Sequence, residues 1–442
     1  MYLADNRGTP APPGTPAPPA PGPGRRAALA PTVLALGTVS LVTDVSAEMV
    51  TAVLPLYLVA GLGLSPLGFG LLDGIQNGAS ALVRLVGGHL GDRGGRHKAV
   101  AAVGYGLSAL AKPLLPLAGS VAALGAVLAL DRTGKGLRTA PRDALISLSV
   151  PTAAQGRAFG VHRAMDTAGA LLGPLAAFLI LAVVADGYDA VFAVSACTAA
   201  LGVLLLLLFV PARPAPQQPA RPAPAAPAGP ARARPAPRTL AALARHRPLR
   251  RITAGATLLG LCTVSDAFLF LVLQRTTGLA DRWFPLLPLG TAAAFLLLAL
   301  PLGRLADRAG RWTVFLGGHA ALLCAYGLLL GPWHGPALPW LVLLLHGAFY
   351  AATDGVLMAA AAEVVPEELR GGGLALVQTG QAVARLCCSL AFGAAWTAWG
   401  EGPALAGAAV ALAAAAVLCV RLRPAGPAPR RPAPTPKGPV HR

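Results

Sequence analysis

The sequence predicts an all-α membrane protein of about twelve transmembrane helices in two six-helix bundles, on three observations: scarce charge, long apolar blocks and an internal repeat. Hydrophobic residues make up 55% of the chain and charged residues only 12%. A soluble domain carries roughly 25% charged residues. The apolar residues come in runs such as 121–130, 201–210, 291–300 and 404–420, which hold almost nothing that water would solvate. With their flanks these runs reach the about 20 residues a spanning helix requires. The repeat is Gly88-His89-Leu90-Gly91-Asp92-Arg93-Gly94-Gly95-Arg96, which returns as Gly303-Arg304-Leu305-Ala306-Asp307-Arg308-Ala309-Gly310-Arg311, an offset of 215 residues. The same offset carries Val150-Pro151 onto Val365-Pro366 and Gly156 onto Gly371. Two motifs sharing one offset imply a duplicated bundle.

Apolar blocks bounded by charge, Pro or Gly give spans at 30–60, 66–89, 98–118, 120–141, 158–185, 189–210, 250–275, 283–302, 312–331, 337–361, 373–398 and 403–422. Residues 1–27, rich in Pro, Ala and Gly, cannot build a core and read as a disordered tail. No cleavable signal peptide is evident, since the apolar run that follows is too long for one. Residues 28–210 form the first bundle and 248–422 the second. Between them, 211–247 holds Pro, Ala and Arg with no acid, the composition of an extended linker. Its end, Leu240–Arg251, has the character of a short interfacial helix drawn to anionic lipid. Residues 423–442 are a basic, disordered tail.

The net charge is +18. Its placement excludes nucleic acid as the partner, because arginines gather in tails and short loops, the pattern that orients a chain in a bilayer. An even number of spans puts both ends on one side. That side carries Arg25, Arg26, Arg93, Arg96, Lys98, Arg142, Arg157, Arg308, Arg311 and the basic C-terminal tail. The opposite loops hold Asp186, Asp189, Asp281, Arg282 and Glu401. Both termini are therefore expected in the cytoplasm, with the chain in the plasma or inner membrane. The six cysteines all lie in apolar blocks without paired ligand spacing, so neither a disulfide frame nor a metal site is expected.

The G-x-L-[GA]-D-R-x-G-R loop between spans 2 and 3, with its copy between spans 8 and 9, resembles the signature loop of the major facilitator superfamily. Arg132-Thr133-Gly134-Lys135-Gly136 on span 4 is similar to that superfamily's R-x-x-Q-G motif, with Lys135 in place of glutamine. Gly169-Ala170-Leu171-Leu172-Gly173-Pro174 on span 5 is similar to its antiporter-associated G-x-x-x-G-P motif. Gly169 and Gly173 allow close helix approach and Pro174 a kink. Asp44-Val45-Ser46-Ala47-Glu48-Met49, Gly134–Arg138 and Pro141–Ile146 resemble a bacterial subgroup labelled efflux permeases, a label that names no substrate. The likeness covers about residues 30–422. It implies secondary transport by alternating access, a small-molecule substrate, the lipid bilayer as environment, no cofactor and a monomer.

The resemblance also implies a conformational latch formed by Gly88, Asp92, Arg93, Gly95 and Arg96 and by Gly303, Asp307, Arg308, Gly310 and Arg311. An aspartate at a helix end accepts hydrogen bonds from a facing helix N-terminus and pairs with arginine. In the family fold span 2 neighbours span 11, and span 8 neighbours span 5. Asp92 is then expected near Gly371–Gly373 and Asp307 near Gly156–Gly160, holding the cytoplasmic side shut. The alternative is a plain topology anchor.

A charge at a helix centre costs about 2.5–3.5 kcal/mol on insertion scales, so those that persist face water or a partner. Here they are Asp44 and Glu48 on span 1, Asp131, Arg132 and Lys135 on span 4, Asp266 on span 7 and Asp354 on span 10. Those four spans line the cavity of the resembled fold. Asp44 and Glu48 share one helix face. Motion that separates an acid from its cation changes its proton affinity, so protons are the expected coupling ion and Asp44 or Glu48 the carrier, modulated by Arg132 or Lys135. A static ion pair that fixes packing is the competing reading. Asp73, Gln76 and Asn77 on span 2, Asp166 on span 5 and Gln378, Gln381 and Arg385 on span 11 are candidate cavity polar groups or interhelical bonds. Lys112, deep in span 3, admits snorkelling, pairing or function.

No phosphate loop, zinc-protease or esterase motif occurs, so neither ATP-driven pumping nor an enzyme is expected. The leading reading is proton-coupled export of a small cationic or amphipathic molecule. Uptake by proton symport is the alternative, and a scramblase or sensor the remote one.

Overall fold

The structure, a computed structural model, describes residues 30–77, 83, 96–151, 154–184, 186–211, 246–365 and 369–421. Among them every regular element is a helix. Span 1 is Pro31–Leu56, with proline in its first turn where no amide partner is needed, and a π turn, Tyr57–Gly61, prolongs it. Span 2 is helical over 66–77, and the rest of its expected range lies outside the described residues. Spans 3 to 6 are His97–Leu114, Val121–Leu148, Gln155–Val183 and Tyr188–Phe209. Span 7 comprises two helices, Arg247–Leu261 and Asp266–Thr277. Spans 8 to 12 are Leu286–Ala309, Arg311–Leu330, Leu338–Val364, Arg370–Trp399 and Glu401–Arg421. Nine of these, among the described residues, are long and apolar enough to cross a membrane on their own. Spans 3 and 4 are not among the nine, because they carry Lys112, Asp131, Arg132, Lys135 and Arg138.

Three expectations are corrected. Span 4 does not stop at residue 141 but runs through Pro141 to Leu148, so Arg142 belongs to a helix and not to a loop. Span 8 likewise continues through Pro301 to Ala309 and includes Asp307 and Arg308. In both, charged residues that read as a loop remain helical because they find partners or face water. Span 7 is not continuous: it breaks at Cys262–Ser265. Of the expected interfacial helix Leu240–Arg251, residues 240–245 lie outside the described residues, and 247–251 form the start of span 7.

The duplication is visible in the packing. Span 1 packs on spans 5 and 6, and span 3 on spans 4 and 6; span 7 packs on 11 and 12, and span 9 on 10 and 12. Adding six to each number of the first set gives the second. Small residues make the close approaches, as expected where lipid offers no hydrophobic drive between helices. Gly169 and Gly173 bring span 5 onto the backbone of span 1, Gly104 and Gly134 join spans 3 and 4, and Gly347 seats span 10 on span 8. Gly310 turns the chain between spans 8 and 9 at φ 94, a conformation in which a side chain is strained, which explains the glycine in that arm of the repeated loop.

The bundles meet at the face opposite the chain ends, the distal face. Gly70 of span 2 lies against the Ser389 carbonyl and Gly393 of span 11 against that of Pro66. The Leu67 N–H donates to Thr397 Oγ1 at 3.0 Å, Phe69 sets its edge on Phe268 at 4.8 Å, and Phe178 packs on Trp283 at 5.1 Å. Toward the terminal face, Gly156 and Gly160 of span 5 and Gly303 of span 8 have open space beside them.

Candidate functional site

The break in span 7 builds the centre of the site. It frees backbone at Thr263 and Val264, where the Tyr326 hydroxyl accepts from the Val264 N–H at 2.9 Å and Cys388 Sγ lies 3.1 Å from the Thr263 carbonyl. The second half-helix then opens on Asp266. Its carboxylate accepts the Tyr350 hydroxyl at 2.7 and 2.8 Å and lies 3.3 Å from His346 Nε2. His346 is 1% exposed, and its Nδ1 is 3.2 Å from Thr291 Oγ1. Spans 7, 8 and 10 thus aim one carboxylate.

Asp266 faces a cavity of about 250 Å³ between the bundles. Glu48 and Thr51 of span 1, Asp73, Gln76 and Asn77 of span 2, Tyr350 of span 10 and Arg385 of span 11 share its wall, with Phe69, Phe270 and Phe284 as the apolar part. Asp73 bridges the halves: Ser389 Oγ donates to it at 2.6 Å and Asn77 Nδ2 at 3.2 Å. A smaller cavity of about 50 Å³ adjoins it through Thr263, Tyr350 and Arg385, and adds Asp354, Gln381 and His319.

The charges of span 4 lie elsewhere, inside the first bundle. They form a ladder against spans 1, 3 and 5. Lys112 meets Asp131 at 2.9 Å, and Arg132 meets the same acid at 3.7 Å. Lys135 meets Glu48 at 3.7 Å, and Arg138 meets Asp44 at 3.3 Å with its guanidinium over the Tyr105 ring. Arg142 reaches Asp166 at 3.5 Å, Asp143 at 3.0 Å and Ser40 at 3.2 Å. Positions three or four apart present one helix face, so one side of span 4 serves all three neighbours. Lys112, for which snorkelling stood open, is buried and paired. The Glu48–Lys135 rung is the one open to water on both sides, at 27% and 37% of its side chains; at the Arg142 rung the acid Asp143 is exposed and the arginine is not.

Of the latch residues, Gly88, Asp92, Arg93 and Gly95 lie outside the described residues, and Arg96 stands just before span 3. Asp307 is 70% exposed and pairs with Arg311 at 3.5 Å, and among the described residues nothing lies within 4 Å of a Cβ placed at Gly156 or Gly160. Its expected meeting with span 5 is therefore not made in this state. Arg311 instead ties span 9 to the end of span 10, through Glu363 at 2.8 Å and the Ala359 carbonyl at 2.9 Å. Arg308 is exposed. Gly173 sits against the Glu48 Cβ and Pro174 follows it inside the helix. Gln378 is exposed and 3.8 Å from Met358 Sδ.

Sequence reasoning passed over Arg138, Arg142, His346 and Tyr350 as site residues. The repeat held a signal for one of them: the offset of 215 carries Asp131 onto His346.

Two bundles with matching helix order, enclosing a charged cavity and pressed together at one face, define a solute carrier of the duplicated twelve-span class. A model of the Major Facilitator Superfamily matches residues 36–387 and 287–441. The chain belongs to that superfamily, as a multi-pass membrane transporter. It is 38% identical over 165 residues to an uncharacterised MFS-type transporter of Methanocaldococcus jannaschii, covering 37% of this chain and 40% of that one. It is 35% identical over 156 residues to an uncharacterised protein of Mycobacterium tuberculosis, covering 35% and 38%. The matched segment thus spans well under half of each relative's length. In fold it is similar to the nucleoside transporter NupG (TM-score 0.72, 14% identity, 88% and 98% of the two chains) and to a D-xylose-proton symporter (0.64, 18%, 89% and 98%). It is also similar to a bacterial homologue of the lysosomal transporter Spinster in an inward-facing, occupied conformation (0.67, 16%, 88% and 94%).

Proposed function

We propose that this transporter exports a small cationic or amphipathic molecule in exchange for protons, by alternating access to the cavity between its bundles. The observation that carries the reading is the cavity itself: acids from both halves line it, and one of them, Glu48, forms the most solvent-open rung of the span-4 ladder. Both members of that rung belong to the first bundle, so it is not the rocking itself that parts them but the water and substrate that enter the cavity as it opens. A carboxylate that loses its cation in a low-dielectric site gains proton affinity, so the rung couples opening of the cavity to proton capture. The basic terminal face is cytoplasmic. The distal contacts then close the outer side, and substrate enters from within.

Transport in proteoliposomes with an imposed pH gradient and a broad compound panel tests this. Glu48→Gln is expected to abolish gradient-driven flux while counterflow of labelled substrate persists. Asp44→Asn, which breaks a sealed rung, is expected to lower flux and stability together. Active export that survives in both variants refutes the proton assignment, and gradient-driven accumulation in place of export makes the carrier a symporter.

In this reading the exposed Asp307 engages span 5 when the terminal side closes. Asp307→Asn is expected to shift the population toward the terminal-open state, read as faster alkylation of a cysteine placed at Gly160 in a cysteine-free chain. An unchanged alkylation rate reduces Asp307 to a topology anchor.

A further inference from the structure

Four charges line the main cavity: Glu48, Asp73, Asp266 and Arg385. Two are already answered. Glu48 is held by Lys135, and Asp73 takes hydrogen bonds from Ser389 and Asn77. Two keep a charged face open to the cavity. Asp266 has no Lys or Arg within ion-pair distance among the described residues; Tyr350 and His346 hold one side of its carboxylate and leave nearly half of the side chain, 47%, exposed. Arg385 makes no ion pair or hydrogen bond among the described residues; it is exposed, within a membrane-spanning helix, on the same cavity wall as Asp266. An exposed guanidinium and a half-exposed carboxylate on the wall of one cavity offer a ligand one charge of each sign, where intramembrane charges ordinarily mark a functional path.

Their positions divide the work. Asp266 opens the second half of span 7, and Arg385 reaches the same cavity from span 11. Phe270 and Phe284 supply apolar wall. Drug-sized ligands occupy pockets of about 300–1,000 Å³, so about 250 Å³ admits something smaller. Building on the substrate cavity proposed above, we propose that the transported molecule is amphoteric: an amine held by Asp266 and a carboxylate or comparable anion held by Arg385, with a short apolar body between. A guanidinium binds a carboxylate through a two-pronged, charge-assisted contact, and that second anchor separates this class from simple amines.

The full-length protein in lipid nanodiscs, titrated calorimetrically with matched probes, decides it. The zwitterions are phenylalanine and aminocaproate, the amines phenethylamine and hexylamine, the anions hydrocinnamate and hexanoate. Zwitterions are expected to bind at least about tenfold tighter than either partner set. Arg385→Gln is expected to erase that advantage and leave the amines unchanged; Asp266→Asn weakens zwitterions and amines alike, at least about tenfold. Arg385→Lys keeps part of the advantage and, with an unchanged unfolding temperature, reports an intact fold. Amines that match zwitterions in the wild type, or an Arg385→Gln variant that keeps the zwitterion advantage, overturn the amphoteric class but leave the cavity as the substrate site. No binding by any probe to a folded protein overturns the class too, and flux in the gradient assay then still supports the carrier reading.

Discussion

Lys112→Met is expected to destabilise the protein by about 3–5 kcal/mol, the cost of leaving one member of a buried ion pair alone. Lys112 is 3% exposed, and its ammonium is 2.9 Å from Asp131 Oδ1. Arg132 remains near that acid, but at 3.7 Å. The loss falls on the seam of spans 3 and 4, where Ser108 also donates to the Asp131 carbonyl at 3.0 Å. The double variant Lys112→Met/Asp131→Asn removes the stranded charge and is expected to recover at least half of the loss. Unfolding by SDS titration in mixed micelles reads both. A single variant within about 0.5 kcal/mol of wild type would mean that Lys112 already escapes to water.

Gly169→Leu is expected to cost about 3 kcal/mol, the upper end of the overpacking range, and to stop transport. A Cβ at Gly169 meets the Leu41 carbonyl at 2.5 Å, and one at Gly173 meets Glu48 Cβ, the Val45 carbonyl and the Met49 amide at 2.7–2.9 Å. Most of these neighbours are backbone, so no side chain can swing away, and spans 1 and 5 must separate. Because span 1 carries Asp44 and Glu48, that separation also displaces the ladder. Gly156→Leu, at a position with open space, is the control and is expected to unfold as wild type does. Equal stability and flux for Gly169→Leu would show that spans 1 and 5 do not pack through this glycine.

Much of the fold was legible because its cause is local. A run of apolar residues must span, and a motif repeated at a fixed offset marks a repeated bundle. Span 4 was cut short at residue 141 because charge in a window reads as water, whereas Arg142 finds Asp166 and Ser40 on two other helices. The break in span 7 was missed because Thr263 and Ser265 are too weakly polar to interrupt a run of Leu, Val and Phe; what holds it is Tyr326, 62 residues away. The span-1 acids and span-4 bases were legible as a set. Their partition was not: the bases turn into the first bundle, and the cavity takes its charges from spans 1, 2, 7 and 11. His346 is silent as a lone histidine and acquires meaning only beside Asp266.

The Lys112–Asp131 bond also bears on how the chain is made. Span 3 leaves the ribosome first, carrying in its last turn a lysine with no acidic residue on its own helix to pair with. Its neutralising acid is 19 residues further on. The lysine of span 3 thus gains its partner only once span 4 has arrived beside it, and the two helices are expected to settle in lipid as one hairpin.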